Sequence, residues 1–181
     1  MHEKRFHGNA DFLRSPERRA LMEVPRVLDL SLAGITAATA LDVGTGTGLF
    51  AEEFAARGLS AVGIDANPEM VQRASTLAPA LRFLEGTAEK LPFPDRSFDL
   101  VFLGQVLHEA EPPLAALTEA YRVARARVAV LEWPYREEEQ GPPFAHRLEP
   151  KAILALAQRA GFRSVQRHTL ARMELFLLDI A

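Results

Sequence analysis

The chain has 181 residues and a mass of 20.0 kDa, with 48% hydrophobic and 25% charged residues, the size and composition of about one globular domain with its own core. It contains no cysteine, which excludes a disulfide framework, thiolate metal ligation and any cysteine-nucleophile chemistry. Its 21 basic and 24 acidic residues leave a net charge of -3, so nothing general draws it to nucleic acid or to an anionic membrane.

The first residues, MHEKRFHGNADF, lack the apolar segment of a secretory signal, and no apolar run approaches the roughly 20 residues of a membrane span. The expectation is a cytoplasmic protein with a small soluble partner. Residues 1–38 read as interrupted helix: Ser15 can cap, Pro16 suits a first helical position, and Leu21, Val24 and Leu28 recur at helical spacing. Pro25 is expected to break this stretch in two.

From residue 39 short apolar runs alternate with amphipathic stretches, the pattern of strand and helix units around a parallel sheet. Strands are predicted near 39–43, 60–64, 81–84, 98–103 and 127–132, with two more near 163–168 and 173–180. Helices are predicted over 48–57, 68–77, 112–124 and 150–160, most of them introduced by proline and two closed by Gly58 and Gly161. The last two strands have no helix between them and should pair as an antiparallel hairpin at one edge. Residues 133–149 carry no periodic pattern and read as an active-site loop.

The sharpest local signal is ALDVGTGTGLF, residues 40–50. An apolar strand runs into three alternating glycines and then an amphipathic helix, so the backbone can turn sharply and approach a ligand beside unpaired N–H groups. Asp65 closes the next apolar run, 21 residues after Gly44, where an acidic side chain can receive both hydroxyls of a ribose. A nucleoside ligand follows. The dinucleotide fingerprint would place its third glycine at position 49, which is Leu49, and no Gly-Lys-Ser/Thr sequence completes a phosphate loop.

Taken together, DVGTGTG (42–48), the strand-end Asp65, GTAEKLPFPDRSFDLV (86–101) and VLHE (106–109) resemble a class I S-adenosylmethionine-dependent methyltransferase. The similarity is greatest to the small single-domain group that includes the ubiquinone and menaquinone C-methyltransferases. The resemblance implies an α/β doubly wound, Rossmann-like seven-stranded sheet of order 3-2-1-4-5-7-6 with the last strand antiparallel and helices on both faces. It implies a single domain over 1–181, divided into an N-terminal helical lid (1–38), a cofactor-binding core (39–132), a substrate loop (133–149) and a C-terminal helix with edge hairpin (150–181).

The resemblance also implies roles for individual residues. Gly44, Thr45, Gly46 and Gly48 would wrap the methionine portion of S-adenosylmethionine, with Asp42 below them fixing the loop. Asp65 would hold the ribose, Ala66 would flank the adenine, Thr87 and Ala88 would meet its edge, and Leu103 and Gly104 would face the methionine amino group. Thr87 stands where relatives often carry Asp, so that contact keeps a hydroxyl acceptor without the charge. Many relatives carry a Leu-Lys-Pro-Gly-Gly turn before the fifth strand; here RVARARV (122–128) implies a tighter connection.

A sulfonium methyl is already a good electrophile, so the protein mainly has to align a nucleophile and exclude water. A base is needed only when the acceptor must lose a proton. His108 and Glu109 after the fourth strand and Glu132 closing the fifth are the candidates. Each has a structural alternative: His108 as a packing histidine at a helix start, Glu109 as a solvated or helix-capping carboxylate, Glu132 as a local hydrogen-bond acceptor. His146 and Arg147, after the rigid Gly141-Pro142-Pro143, either reach over the acceptor pocket or anchor the loop.

Phe6, His7, Phe12 and Leu13 are candidate lid residues. Glu137, Glu138 and Glu139 read as a solvated face, and Arg122, Arg125 and Arg127 as a helix end rather than a nucleic-acid patch. Without cysteine, cytosine C5 and arsenite methylation are excluded, and LGQV (103–106) stands where amino-methylating DNA and glutamine enzymes carry Asn/Asp-Pro-Pro-Tyr. The expected function is methyl transfer to a small-molecule acceptor by direct displacement, releasing S-adenosylhomocysteine, with no metal. The alternatives are a non-catalytic cofactor-binding module of the same fold and a nicotinamide oxidoreductase, the latter opposed by the glycine spacing. Acceptor and oligomeric state are not legible.

Overall fold

The structure, a computed structural model, describes residues 10–180. Seven strands form one sheet of order β3-β2-β1-β4-β5-β7-β6: β1 (Thr39–Val43), β2 (Ser60–Asp65), β3 (Arg82–Glu85), β4 (Phe98–Gly104), β5 (Ala124–Glu132), β6 (Ser164–Thr169) and β7 (Glu174–Asp179). The pairings from β3 across to β5 are parallel, and β7 runs antiparallel to both β5 and β6. The expected strand order and hairpin are present, with β7 seated inside the sheet and β6 at its edge.

The central strands are apolar because both of their faces are covered. Along β4, Leu100 and Phe102 pack on one side with Phe50 and Phe54, whereas Val101 and Leu103 pack on the other with Leu117 and Ile153. This is the period-two alternation of a strand with a core on each face. The Phe102 ring lies 4.4 Å from Phe50 and 5.5 Å from Phe54, centroid to centroid. The first layer is built by α2 (Val24–Leu32), α3 (Leu49–Ala56) and α4 (Pro68–Leu77), and the second by α5 (Pro113–Val123) and α6 (Pro150–Ala160).

The N-terminal break falls earlier than expected. Helix α1 (Pro16–Leu21) is capped by Ser15, whose hydroxyl accepts from the Arg18 N–H at 3.1 Å, and the chain turns at Glu23, held at φ 47. Pro25 then sits in the first turn of α2, where its missing N–H leaves no hydrogen bond unmade. At the other correction, α5 ends at Val123 and β5 begins at Ala124, three residues before the expected 127, so helix runs into strand with no turn between them.

The arginines of this stretch carry structure. Arg122 pairs with Glu119 and Asp95, and Arg125 with Asp99. Arg127 bonds Asp179 at 2.6 Å and the carbonyls of Ser31 and Ala33 at 3.2 and 2.7 Å, tying β5 to the hairpin and to the end of α2. Among the described residues no helix is long and apolar enough to cross a membrane.

Candidate active site

A cavity of about 570 Å³ opens at the carboxyl ends of β1, β2 and β4. It lies where the strand order reverses between β1 and β4, the usual crevice of an open α/β sheet. Loops after five strands supply its wall: Gly44 and Gly46 after β1, Asp65 to Pro68 at β2, Gly86 to Glu89 after β3, Gly104 to Val106 and His108 after β4, and Trp133 after β5. Phe12, Leu13, Arg18 and Leu21 cover it from the N-terminal side, and Gln140 to Pro142 from the loop. Of the candidate lid residues, Phe12 and Leu13 therefore line the cavity, while Phe6 and His7 lie outside the described residues.

The glycine loop is held from below. Buried Asp42 accepts from the Thr45 hydroxyl at 2.7 Å and the Ala51 N–H at 3.1 Å. Burial pushes its carboxyl up to about 7, against the pull of those two hydrogen bonds and with a smaller push from Asp65. Gly44 and Gly46 have φ of 66 and 53, a left-handed backbone that glycine adopts without steric cost. Gly48 differs in role: it caps α3 away from the cavity, and a Cβ there would meet Phe83 at 2.9 Å. Thr45 and Leu103 are likewise buried and off the cavity surface, Thr45 bracing Asp42 and Leu103 in the core.

At the end of β2, Asp65 accepts the Gly46 N–H at 2.8 Å on one oxygen and the Asn67 N–H at 2.9 Å on the other. A carboxylate has about four lone-pair sites, enough for two backbone donors and a vicinal diol. Ala66, Thr87, Ala88 and Gly104 stand on the same surface. The loop glycines, the strand-end carboxylate and the small residues beside it thus converge as one cradle.

On the same cavity His108 forms a buried pair with Glu132. His108 Nδ1 lies 3.1 and 2.9 Å from the two carboxylate oxygens, and the backbone N–H groups of His108 and Trp133 donate to the same carboxylate at 3.1 and 3.2 Å. Glu132 is 1% exposed and off the cavity surface, whereas His108 is on it. Burial disfavours the charged imidazole, yet the charge and hydrogen bond of Glu132, with Glu109, outweigh both burial and the repulsion of Arg147, so its pKa is raised. Glu109 shares the wall, 3.9 Å from Nε2.

The loop residues are a correction. Arg147 donates to the carbonyls of Pro142, Pro134 and Gln140 at 3.1, 3.1 and 2.6 Å and lies over the Trp133 ring. Three curled-back carbonyls take up its donors, so it anchors the loop from beneath; neither it nor His146 lines the cavity. Glu138 also departs from the solvated face expected of it, lying 2.7 Å from Arg136 and within 4 Å of Arg147 and Arg172.

Among the wall residues that escape sequence reasoning are Arg18, Gln105 and Trp133. Arg18 donates to Gln105 Oε1 and lies 5.9 Å from the Phe12 ring and 5.6 Å from the Trp133 ring. Burial lowers its pKa to about 10. Gln105 and Trp133 directly follow the predicted Gly104 and Glu132, and that adjacency at strand ends was the available signal. Arg18 had none, being brought in from 87 residues away.

Residues 41–131 match the methyltransferase domain family. The chain belongs to that family. Among the curated methyltransferases it resembles an uncharacterized one of Mycobacterium bovis, 36% identical over 118 residues, covering 65% of this chain and 48% of that protein. The demethylmenaquinone methyltransferase of Chlorobaculum tepidum is 42% identical over 86 residues, covering 47% of this chain and 36% of the relative. The chain thus matches about half or less of these relatives' length. A crystal structure of an S-adenosylmethionine-dependent methyltransferase from Aquifex aeolicus superimposes with a TM-score of 0.85 at 26% identity, covering 95% of this chain and 97% of that one.

Proposed function

We propose that this methyltransferase moves the methyl group of S-adenosylmethionine by direct displacement onto a small-molecule acceptor, releasing S-adenosylhomocysteine. The observation that carries the reading is a single cavity lined at once by Gly44, Gly46 and Asp65 and by His108. A cradle shaped for a nucleoside and a carboxylate-held imidazole share one cavity. When bound, the cofactor supplies an electrophilic methyl that needs no further activation; the chain's own residues do the rest.

Asp65 would hold the ribose hydroxyls, Ala66, Thr87 and Ala88 the adenine, and Gly44, Gly46 and Gly104 the methionine portion, with Asp42 and Thr45 bracing the loop. Nδ1 of His108 is engaged by Glu132, which leaves Nε2 as the ring nitrogen to take a proton from an acceptor hydroxyl or protonated amine. His108 is then the catalytic residue and Glu132 its positioning residue. Phe12, Leu13 and the Gln140–Pro142 turn exclude water, which would otherwise weaken every electrostatic contact inside.

The test begins with isothermal titration of the protein with S-adenosylmethionine and S-adenosylhomocysteine, followed by transfer of a labelled methyl group into a metabolite extract. Binding without transfer to any acceptor would leave a cofactor-holding module; no binding would remove the cofactor assignment. Asp65→Ala should weaken cofactor affinity by roughly 1 to 3 kcal/mol through lost charge-assisted hydrogen bonds. Melting is followed in parallel, because Asp65 also secures Gly46 and Asn67. Unchanged affinity refutes the ribose assignment.

A further inference from the structure

Arg18 is the unusual member of the cavity wall. Its neighbours on the N-terminal segment, Arg14 and Arg19, are paired with Glu52 and Glu53, and buried Arg127 is paired with Asp179. The Arg18 guanidinium instead has a neutral partner, the Gln105 side-chain carbonyl, and its Nε is buried with no hydrogen-bond partner. A desolvated cation without a counter-ion is costly unless an anion completes it. Folding has placed a guanidinium on the cavity wall with no carboxylate of the described residues paired to it.

The surroundings fix that cation in place. Gln105 is held at φ 61, and its backbone N–H donates to the Leu131 carbonyl at 2.7 Å. Its amide nitrogen donates to Met173 Sδ at 3.2 Å, so the carbonyl end is turned toward Arg18. The rings of Phe12 and Trp133 flank the guanidinium, forming an apolar slot that favours a planar charged fork over a point charge. Trp133 is the next residue after Glu132, the partner of His108, so Arg18 stands on the His108 side of the cavity.

We propose that Arg18 forms a carboxylate subsite for the methyl acceptor, which is accordingly a small acid carrying a nucleophilic hydroxyl or amine. The acid would seat its carboxylate bidentately on the guanidinium and present its nucleophile to His108. This rests on the methyltransferase reading of the cavity and adds the class of acceptor to it.

The experiment uses the single tryptophan of the chain, Trp133, as reporter. The protein is first saturated with S-adenosylhomocysteine, then titrated with benzoate, the hydroxybenzoates and short aliphatic hydroxy acids, each beside its carboxamide, while tryptophan fluorescence is read. At least one acid should bind saturably and about 10-fold or more tightly than its amide. Arg18→Met should abolish the preference and leave S-adenosylhomocysteine affinity within about twofold, and Arg18→Lys should retain part of it.

No acid preferred over its amide by the unmodified protein overturns the proposal. So does a loss of S-adenosylhomocysteine affinity of about 10-fold or more in Arg18→Met, which assigns the guanidinium to the cofactor's own carboxylate. Failure of S-adenosylhomocysteine to bind the unmodified protein shows itself in the first titration and strikes the underlying reading instead.

Discussion

His108→Asn should reduce methyl transfer by roughly 10²- to 10⁴-fold, the usual contribution of a positioned general base, while S-adenosylhomocysteine affinity, and melting temperature compared above the His108 pKa, stay near those of the parent. Asparagine keeps an N–H at the Nδ1 position for Glu132 but cannot accept a proton at neutral pH. The pH profile carries the finer test. Glu132 and Glu109 hold the His108 pKa above the ordinary histidine value of 6.5 despite burial and Arg147. Activity should therefore be lost as pH falls through a point above 6.5.

Glu132→Gln removes the charge that favours the imidazolium but leaves the burial that disfavours it, so that limb should move to lower pH while kcat falls. The same shift has a sign for stability: a raised histidine pKa stabilises the fold fully below its unfolded value and loses that contribution as pH rises through the folded one. Melting temperature should decline across that window in the parent and less so in Glu132→Gln. A pH limb that stays put in Glu132→Gln would show that the carboxylate does not act through His108.

Gly44→Ala should cost the fold about 2 to 5 kcal/mol. A Cβ there would stand 2.0 Å from Val106 Cγ2, on a backbone at φ 66. The left-handed conformation alone costs an L-residue roughly 1 to 2 kcal/mol, and overpacking adds about 1 to 3. Val106 belongs to the cavity wall, so cofactor affinity should drop with stability. Urea denaturation measures the first and titration the second. Adding Val106→Ala should recover the steric part and not the conformational part; if nothing returns, the clash is not the cause.

Much of the fold was readable because its signals are local. Apolar runs such as FDLVFL report strands covered on both faces, and proline or Ser15 marks where helices begin. The errors were local too. Pro25 looked like a breaker because proline ends a helix anywhere but in its first turn, and only the turn at Glu23 reveals that it begins one. The glycine loop and Asp65 were readable for the same reason, since a sharp turn and a strand-end carboxylate leave traces at fixed spacing.

What was not readable depends on who meets whom across the sheet. His108 and Glu132 were separate candidates, 24 residues apart, and their partnership exists only because β4 and β5 are neighbours with parallel ends. Arg147 and Arg18 are indistinguishable as letters in a sequence. One is held by three carbonyls of its own loop and the other lies on the cavity wall, a difference set by backbone curvature that has no sequence period.

The Glu132 carboxylate receives the backbone N–H groups of two separate loops, at His108 and at Trp133. It therefore works as a rivet, making the segment after β4 and the start of the segment after β5 one rigid unit. The turn at Gln140–Pro142 lies outside that rivet and hangs on Arg147 alone among the described contacts to its carbonyls. For anyone retargeting the enzyme, the two have different tolerances. The turn can be exchanged to admit a different acceptor shape as long as Arg147 keeps carbonyls to hold and position 141 stays glycine, where a Cβ would meet the Trp133 ring at 2.6 Å, whereas any change at Glu132 disturbs the His108 imidazole and the wall together.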